Sequence, residues 1–183
     1  MYLTIYVDDI IIACDNLAYM LEVKMMFCKN FDMTDMCALE HFLNVRVTKT
    51  RRFIQLDQSV YTQKVLDKFA DFLGPPQKTK KSSLPSDASV MIARAEGELS
   101  DDDRVYLDNF PYRSLLGPLL YLSMNTLPDI KYAVGLISRF GSKPTVQTCH
   151  LMVYFMQCVR GIVSCGIRFS ASMYDMHVFT DAD

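Results

Sequence analysis

The chain has 183 residues, half of them hydrophobic, and its 19 Lys and Arg nearly balance its 21 Asp and Glu, which leaves a net charge of −2. This length can bury one ordinary core or two small ones, and so small a net charge gives no strong overall field for a polyanion. No apolar run is long enough to cross a bilayer and no signal-peptide pattern is present, so we expect neither a membrane-spanning nor a secreted protein.

The first predicted element is a β-hairpin at the start of the chain. Apolar stretches at 1–5 and 10–13 flank Tyr6-Val7-Asp8-Asp9, a pattern that predicts two short strands and a tight turn. Two carboxylates at the tip of such a hairpin suit Mg²⁺ or Mn²⁺, because hard cations prefer oxygen ligands. The alternative is a solvated turn without a metal, since aspartate favours turns for its own backbone hydrogen bonds.

A helix is predicted next, capped by Asp15 or Asn16 and lying across the back of the hairpin. Its apolar face is formed by Leu17, Met20, Leu21, Phe27, Cys28 and Phe31. A second hairpin follows, in which Leu43, Val45 and Val47 alternate with polar residues and the chain returns at 53–56.

The middle of the chain is predicted to hold one helix and one linker. The helix covers 58–72 and ends at Gly74, and its apolar side is formed by Val60, Tyr61, Val65, Phe69 and Phe72. Residues 74–103 lose the hydrophobic period and gain proline, serine and charge, so we expect a poorly ordered linker there.

The last third is predicted to be mainly helical. One helix begins near Tyr106 or Pro111, another begins at Pro128, and a third covers 146–159. The core-facing stripes are Leu115, Leu116, Leu119, Leu120 and Leu122 in the first helix, and Ile130, Ala133, Val134, Ile137 and Phe140 in the second. Paired strands are predicted at 166–170 and 176–180.

Seven short motifs resemble those of reverse transcriptases from Ty1/copia-type retrotransposons, in the same order along the chain. They are Tyr2–Cys14, which contains Tyr6-Val7-Asp8-Asp9, and Phe31–Met36, His41–Val45, Leu56–Tyr61, Tyr112–Leu122, Pro128–Val134 and Thr180–Asp183. Two positions depart from the family pattern: Asn44 replaces a usual glycine, and Pro118 replaces a usual serine.

The resemblance implies an α+β fold divided into five segments. These are a partial polymerase palm at 1–57, a helix leading into the thumb at 58–73, a linker at 74–103, a helical thumb or connection region at 104–161, and the first strands of a truncated ribonuclease H domain at 162–183.

The resemblance also implies the site residues and partners. Asp8 and Asp9 would be catalytic metal ligands for polymerisation, and Asp181 a catalytic metal ligand for ribonuclease H, each holding Mg²⁺ or Mn²⁺. The positions implied to contact substrate are Tyr6, Val7, Phe42 and Leu43. The partners would be an RNA template, a DNA primer and their hybrid, with no membrane; the oligomeric state stays open, and the setting would be intracellular, in the cytoplasm or nucleus.

Both implied sites are expected to be incomplete, because the family's third polymerase carboxylate comes from an upstream strand and its ribonuclease H site uses carboxylates after Asp181. We therefore expect an inactive fragment of a retrotransposon polyprotein. A nucleic-acid-binding or interaction remnant, built from the helices after Asp103, is one alternative. An unrelated carboxylate-metal hydrolase is another. Basic clusters at Arg51-Arg52 and around Lys78, Lys80 and Lys81 could contact phosphates, or could simply be solvated loops.

Overall fold

The structure of the protein is a computed structural model that describes residues 1–75 and 100–170. It divides the chain into two compact units, Met1–Phe42 and Leu43–Asp183. Both α-helices and antiparallel β-strands are present, which confirms the expected mixture of the two. Among the described residues, no helix combines the length and the apolar character that crossing a membrane requires.

The first unit contains the predicted hairpin and the helix after it. Strand β1 (Tyr2–Tyr6) pairs antiparallel with β2 (Asp9–Ala13), α1 covers Leu17–Asn30, and the two-residue strand β3 is His41–Phe42. Of the two predicted caps, Asn16 is the one used, because its side chain accepts a 3.1 Å hydrogen bond from the Tyr19 backbone N–H. The sequence thus located the first two strands and the start of α1.

The predicted burial of the α1 apolar face is wrong. Among residues 1–42, all of which the structure describes, Val23 alone is buried, whereas Leu17, Leu21 and Phe31 are exposed. A hairpin and one helix offer too little surface to cover every apolar side chain in a unit of this size. The Lys24 ammonium and the Asp35 carboxylate, 2.8 Å apart, join α1 to the segment that follows it.

The sheet of the second unit brings distant segments together. Strand β5 (Phe53–Asp57) pairs antiparallel with β4 (Val45–Lys49) on one side and with β6 (Gly166–Ser170) on the other. The predicted turn at 50–52 is confirmed, since the Thr50 N–H donates to the Phe53 carbonyl at 2.9 Å. The predicted partner of β6, at 176–180, lies outside the described residues.

The described residues of the second unit form six α-helices, numbered α2 to α7, and one short 3-10 turn between α5 and α6. Their bounds are α2 Ser59–Lys68, α3 Ala70–Leu73, α4 Asp101–Asn109, α5 Tyr112–Asn125, the 3-10 turn Pro128–Ile130, α6 Lys131–Ser138 and α7 Val146–Gly161. The single helix predicted over 58–72 is therefore two helices, separated at Phe69, and both Val60 and Phe72 are exposed instead of buried in the core. Gly74 follows with φ +66°, as a helix-ending glycine should.

The core of the second unit is a helical cluster. Leu115, Leu119 and Leu122 of α5 are fully buried, as is Ile137 of α6, and Phe155 of α7 is almost so. These leucines and Ile137 confirm the predicted stripes, although Leu120 and Phe140 are only partly buried. The Tyr112 hydroxyl donates a 2.8 Å hydrogen bond to the Ile137 carbonyl and so ties α5 to α6.

Candidate metal-binding hairpin and its polar neighbours

The β1–β2 turn presents two adjacent carboxylates to solvent. Tyr6 and Asp9 are directly paired at the end of the ladder, and Val7 and Asp8 form the two-residue connection between them. Asp8 and Asp9 are both exposed. Asp8 lies in the turn, whereas Asp9 is the first residue of β2.

The backbone of this turn is unusual at Val7. Its φ is +56°, a value that glycine adopts readily and a β-branched residue adopts only under strain. Such strain costs on the order of 1–3 kcal/mol. Val7 is also 85% exposed, so burial of its side chain does not compensate for the strain.

Two exposed carboxylates fit part of the ligand set of a hard divalent cation. Magnesium commonly uses one or two carboxylates and completes its shell with water and substrate phosphates. Within residues 1–75 and 100–170, no group of three or more His, Cys, Asp or Glu side chains is arranged to hold a metal ion. In this part of the chain, Asp8 and Asp9 are therefore a pair of adjacent carboxylates that no third candidate ligand joins.

The two other residues implied to contact substrate, Phe42 and Leu43, have different surroundings. Phe42 is partly buried in β3. Leu43 and Asn44 have φ values of +48° and +59°, so the strand predicted from Leu43 begins instead at Val45. The Leu43 carbonyl accepts a hydrogen bond from the Tyr121 hydroxyl, which fixes this turn to α5.

Asn44, which replaces the family's usual glycine, keeps a conformation that glycine would favour. Asparagine enters the left-handed region more readily than most other residues, because its short polar side chain can bond locally. The substitution therefore does not prevent the positive φ at this position.

A buried carboxylate connects the sheet to α2. Asp57 is fully buried, and its Oδ2 accepts from the Arg46 Nε at 3.1 Å, while its Oδ1 accepts from the Ser59 N–H at 3.1 Å and from the Ser59 hydroxyl at 2.6 Å. Burial acts to raise the pKa of Asp57, but the Ser59 hydrogen bonds and the Arg46 guanidinium together hold the pKa below its ordinary value. The carboxylate is thus kept ionised inside the protein.

Sequence reasoning missed this arrangement, although the motif Leu56-Asp57-Gln58-Ser59 was recognised. A usable signal was present: aspartate two residues before a serine at the start of a predicted helix is typical of a side chain that accepts from the backbone N–H two residues on. The next residue, Gln58, is also buried, and its Oε1 accepts a 2.9 Å hydrogen bond from the Thr126 hydroxyl. This second contact joins the start of α2 to the end of α5.

Two groups of predicted residues lie outside the described part of the chain. These are Asp181, proposed for the ribonuclease H site, and the basic cluster of Lys78, Lys80 and Lys81. Arg51 and Arg52 are described, and both are exposed in the β4–β5 turn.

Comparison with known proteins gives one family match. Residues 1–74 match the family described as reverse transcriptase (RNA-dependent DNA polymerase). The match includes the β1–β2 hairpin and extends to the end of α3.

Curated relatives align with nearly the whole chain. The retrovirus-related Pol polyprotein from transposon TNT 1-94 of Nicotiana tabacum is 27% identical over 99% of this chain and 13% of its own length. An uncharacterized mitochondrial protein of Arabidopsis thaliana is 26% identical over 100% of this chain and 71% of its own length. The Pol polyprotein from transposon RE1 of Arabidopsis thaliana is 25% identical over 100% of this chain and 12% of its own length.

The chain thus spans only a small part of the transposon polyproteins that it resembles. No solved structure matches it significantly.

Proposed function

Because residues 1–74 match the reverse transcriptase family and the whole chain is similar to transposon Pol polyproteins, we propose that the chain is a segment of a Ty1/copia-type reverse transcriptase whose first hairpin supplies two metal ligands of a polymerase site. The observation that carries this proposal is the position of Asp8 and Asp9, both exposed at the tip of a tight antiparallel hairpin. The substrates proposed for the intact enzyme are an RNA template and a DNA primer.

The carboxylates of Asp8 and Asp9 would hold Mg²⁺ or Mn²⁺. When bound, such an ion neutralises phosphate charge and orients the reacting groups in nucleotidyl transfer. Asp8 would be the more direct ligand because it lies in the turn itself, and Asp9 would bind beside it. Tyr6 is the cross-strand partner of Asp9, and Tyr6 and Val7 would pack against the end of a primer.

A third ligand from another segment would complete the site. In the described residues the pair has no further metal-binding side chain beside it, and two carboxylates alone bind magnesium weakly, since this ion gives up its waters reluctantly. We therefore propose that the isolated chain does not extend a primer.

We propose that the other regions follow the family's order. Residues 1–57 would be part of the palm, the helix at 58–73 would lead toward the thumb, residues 104–161 would form the thumb or connection, and Asp181 would bind metal in a ribonuclease H segment beginning near 162. An intracellular setting, in the cytoplasm or nucleus, agrees with the six cysteines, none of which forms a disulfide.

The metal role can be tested by adding Mn²⁺ to isotope-labelled protein and recording amide signals by nuclear magnetic resonance. We expect weak binding that broadens the amides of residues 5–10 first. Asp8→Asn should reduce this broadening most and Asp9→Asn less, whereas Asp108→Asn, which changes an exposed aspartate of α4, should leave it unchanged. Equal broadening in wild type and Asp8→Asn would refute the metal site.

Primer extension on an RNA template tests completeness separately. The isolated chain should give no product with Mg²⁺ or Mn²⁺. Extension that disappears in Asp8→Asn would show that the chain already contains every ligand it needs.

A further inference from the structure

The sheet of the second unit carries a concentration of positive charge. Residues 43–57 and 166–170, which we call the basic sheet, contain Asp57 as their one acidic residue and five cations: Arg46, Lys49, Arg51, Arg52 and Arg168. The whole chain, by contrast, has a net charge of −2. Positive charge is therefore collected at this sheet and is not a general property of the protein.

Four of these cations are available to a ligand. The Arg46 guanidinium is paired with Asp57, with Nη2 and Oδ2 3.0 Å apart. Lys49, Arg51 and Arg52 are exposed, and in the parts of the chain that the structure describes none of the three has an ion-pair partner. Arg168 is exposed as well, and within residues 1–75 and 100–170 no carboxylate forms an ion pair with it.

Arg168 is held in a defined position by β5. Its guanidinium carbon lies 4.3 Å from the centre of the Phe53 ring, and its Nη2 donates a 2.9 Å hydrogen bond to the Gln55 Oε1. Gln55 and Arg168 are directly opposite in the β5–β6 ladder. A stacked guanidinium loses less freedom on binding a phosphate than a free side chain would, and its planar fork fits phosphate oxygens.

Gly166, the first residue of β6, allows this strand to pair closely with β5. A Cβ added to Gly166 would lie 2.1 Å from the Leu56 carbonyl oxygen and 3.0 Å from the Asp57 Cβ. Any other residue at 166 would push the start of β6 away from β5. Gly166 therefore permits the β5–β6 pairing that holds Arg168 beside Phe53 and Gln55.

We propose that β6 is part of a nucleic-acid-binding surface, in which Arg168 contacts the phosphate backbone of an RNA–DNA hybrid together with Arg51 and Arg52 of the neighbouring turn. This proposal rests on the proposed function for the choice of nucleic acid as ligand. It adds to the β4–β5 hairpin a residue that is distant in sequence, because Arg168 is 113 positions from Gln55 of β5. Strand β6 thus extends the sheet by pairing with β5 and also supplies the Arg168 cation to it.

The experiment measures binding of the full chain to a fluorescently labelled RNA–DNA hybrid by anisotropy, at several salt concentrations. Arg168→Gln should weaken binding about fivefold to tenfold at low salt and reduce the slope of log K against log salt by about 0.9, the amount expected for one lost phosphate contact. Arg168→Lys, which keeps the charge but not the planar fork, should lose less affinity. Arg139→Gln removes one exposed cation from the C-terminal end of α6 and serves as the matched control.

A second pair of variants tests the role of β6. Gly166→Ala should weaken binding as Arg168→Gln does, whereas Gly135→Ala, where an added Cβ meets nothing within 4 Å, should have no effect. Circular dichroism shows whether each variant is folded. If Gly166→Ala does not fold, Arg168→Gln still tests the proposed phosphate contact.

Three results would overturn the proposal. They are undetectable binding of the wild-type chain at 50 mM salt, equal losses in Arg168→Gln and Arg139→Gln, and competition by polyglutamate as effective as competition by unlabelled hybrid, which would indicate an acidic protein as the partner. None of these depends on Mn²⁺ binding at Asp8, so failure here and failure of the proposed metal site are distinguishable.

Discussion

Arg46 and Asp57 are opposite each other in neighbouring strands, and two guanidinium nitrogens of Arg46 contact the same carboxylate oxygen of Asp57, at 3.0 and 3.1 Å. The other oxygen accepts both donors of Ser59. One carboxylate therefore joins β4, β5 and the first residue of α2. Because the Asp57 carboxylate is fully buried, its removal would leave the two Ser59 donors without this acceptor.

Replacing Asp57 should destabilise the protein measurably. We expect Asp57→Ala to lower the free energy of unfolding by about 2 kcal/mol, since hydrogen bonds to a charged group contribute roughly 1.5–3 kcal/mol. The pair with Arg46 adds little beyond this because the Arg46 side chain is 45% exposed. Urea denaturation measures the difference, and Asp108→Ala, on the exposed side of α4, should change it by less than about 0.5 kcal/mol.

Acid should weaken the fold through two carboxylates. The Lys24 side chain and the Cys37 backbone N–H lower the pKa of Asp35, and the partners of Asp57 lower its pKa despite burial. A lowered folded-state pKa gives stability that is present above the unfolded value of about 3.9 and is lost as the pH falls through the folded value. Unfolding measured from pH 6 to pH 2 should show this loss, and Asp57→Asn should flatten the acid limb; an unchanged limb would contradict the assignment.

The helical core should be sensitive at Leu119, which is fully buried in α5. Leu119→Ala should cost about 2–5 kcal/mol, because removal of a buried side chain loses transfer free energy and leaves a cavity. Met124→Ala, on the same helix but 74% exposed, is the matched control. Similar thermal midpoints for the two variants would show that the core is not where the structure has it.

The cysteines should differ sharply in reactivity. Burial raises the pKa of the Cys149 thiol to about 11, so little thiolate forms near neutral pH. Cys28, Cys37 and Cys165 are exposed. At pH 8, a thiol reagent followed by peptide mapping should label these three rapidly and Cys149 only after unfolding; rapid labelling of Cys149 in the native protein would argue against its burial.

Relief of the Val7 turn should stabilise the first hairpin. Val7→Gly should raise the local stability by about 1 kcal/mol, since a positive φ strains valine but not glycine. Val7→Ala retains most of the penalty and should give little gain. Native-state hydrogen exchange of the β1 and β2 amides measures the effect, and slower exchange is expected in the glycine variant alone.

Local patterns in the sequence were enough to identify the first hairpin, a cap at Asp15 or Asn16, the glycine end at Gly74 and the buried leucines of α5. Each depends on residues within a few positions of one another, through strand alternation, capping or helical period. The family motif likewise marked Asp8 and Asp9, because it is a short contiguous stretch.

Tertiary structure alone decided the features that depend on distant residues. The pairing of β6 with β5, the stacking of Arg168 on Phe53 and the burial of Asp57 arise from chain segments that meet only after folding. Likewise, the periodicity of α1 showed an apolar face but not whether anything covers it, and Leu17, Leu21 and Phe31 remain exposed. Local sequence sets backbone preference, whereas burial and register depend on which surfaces the rest of the chain supplies.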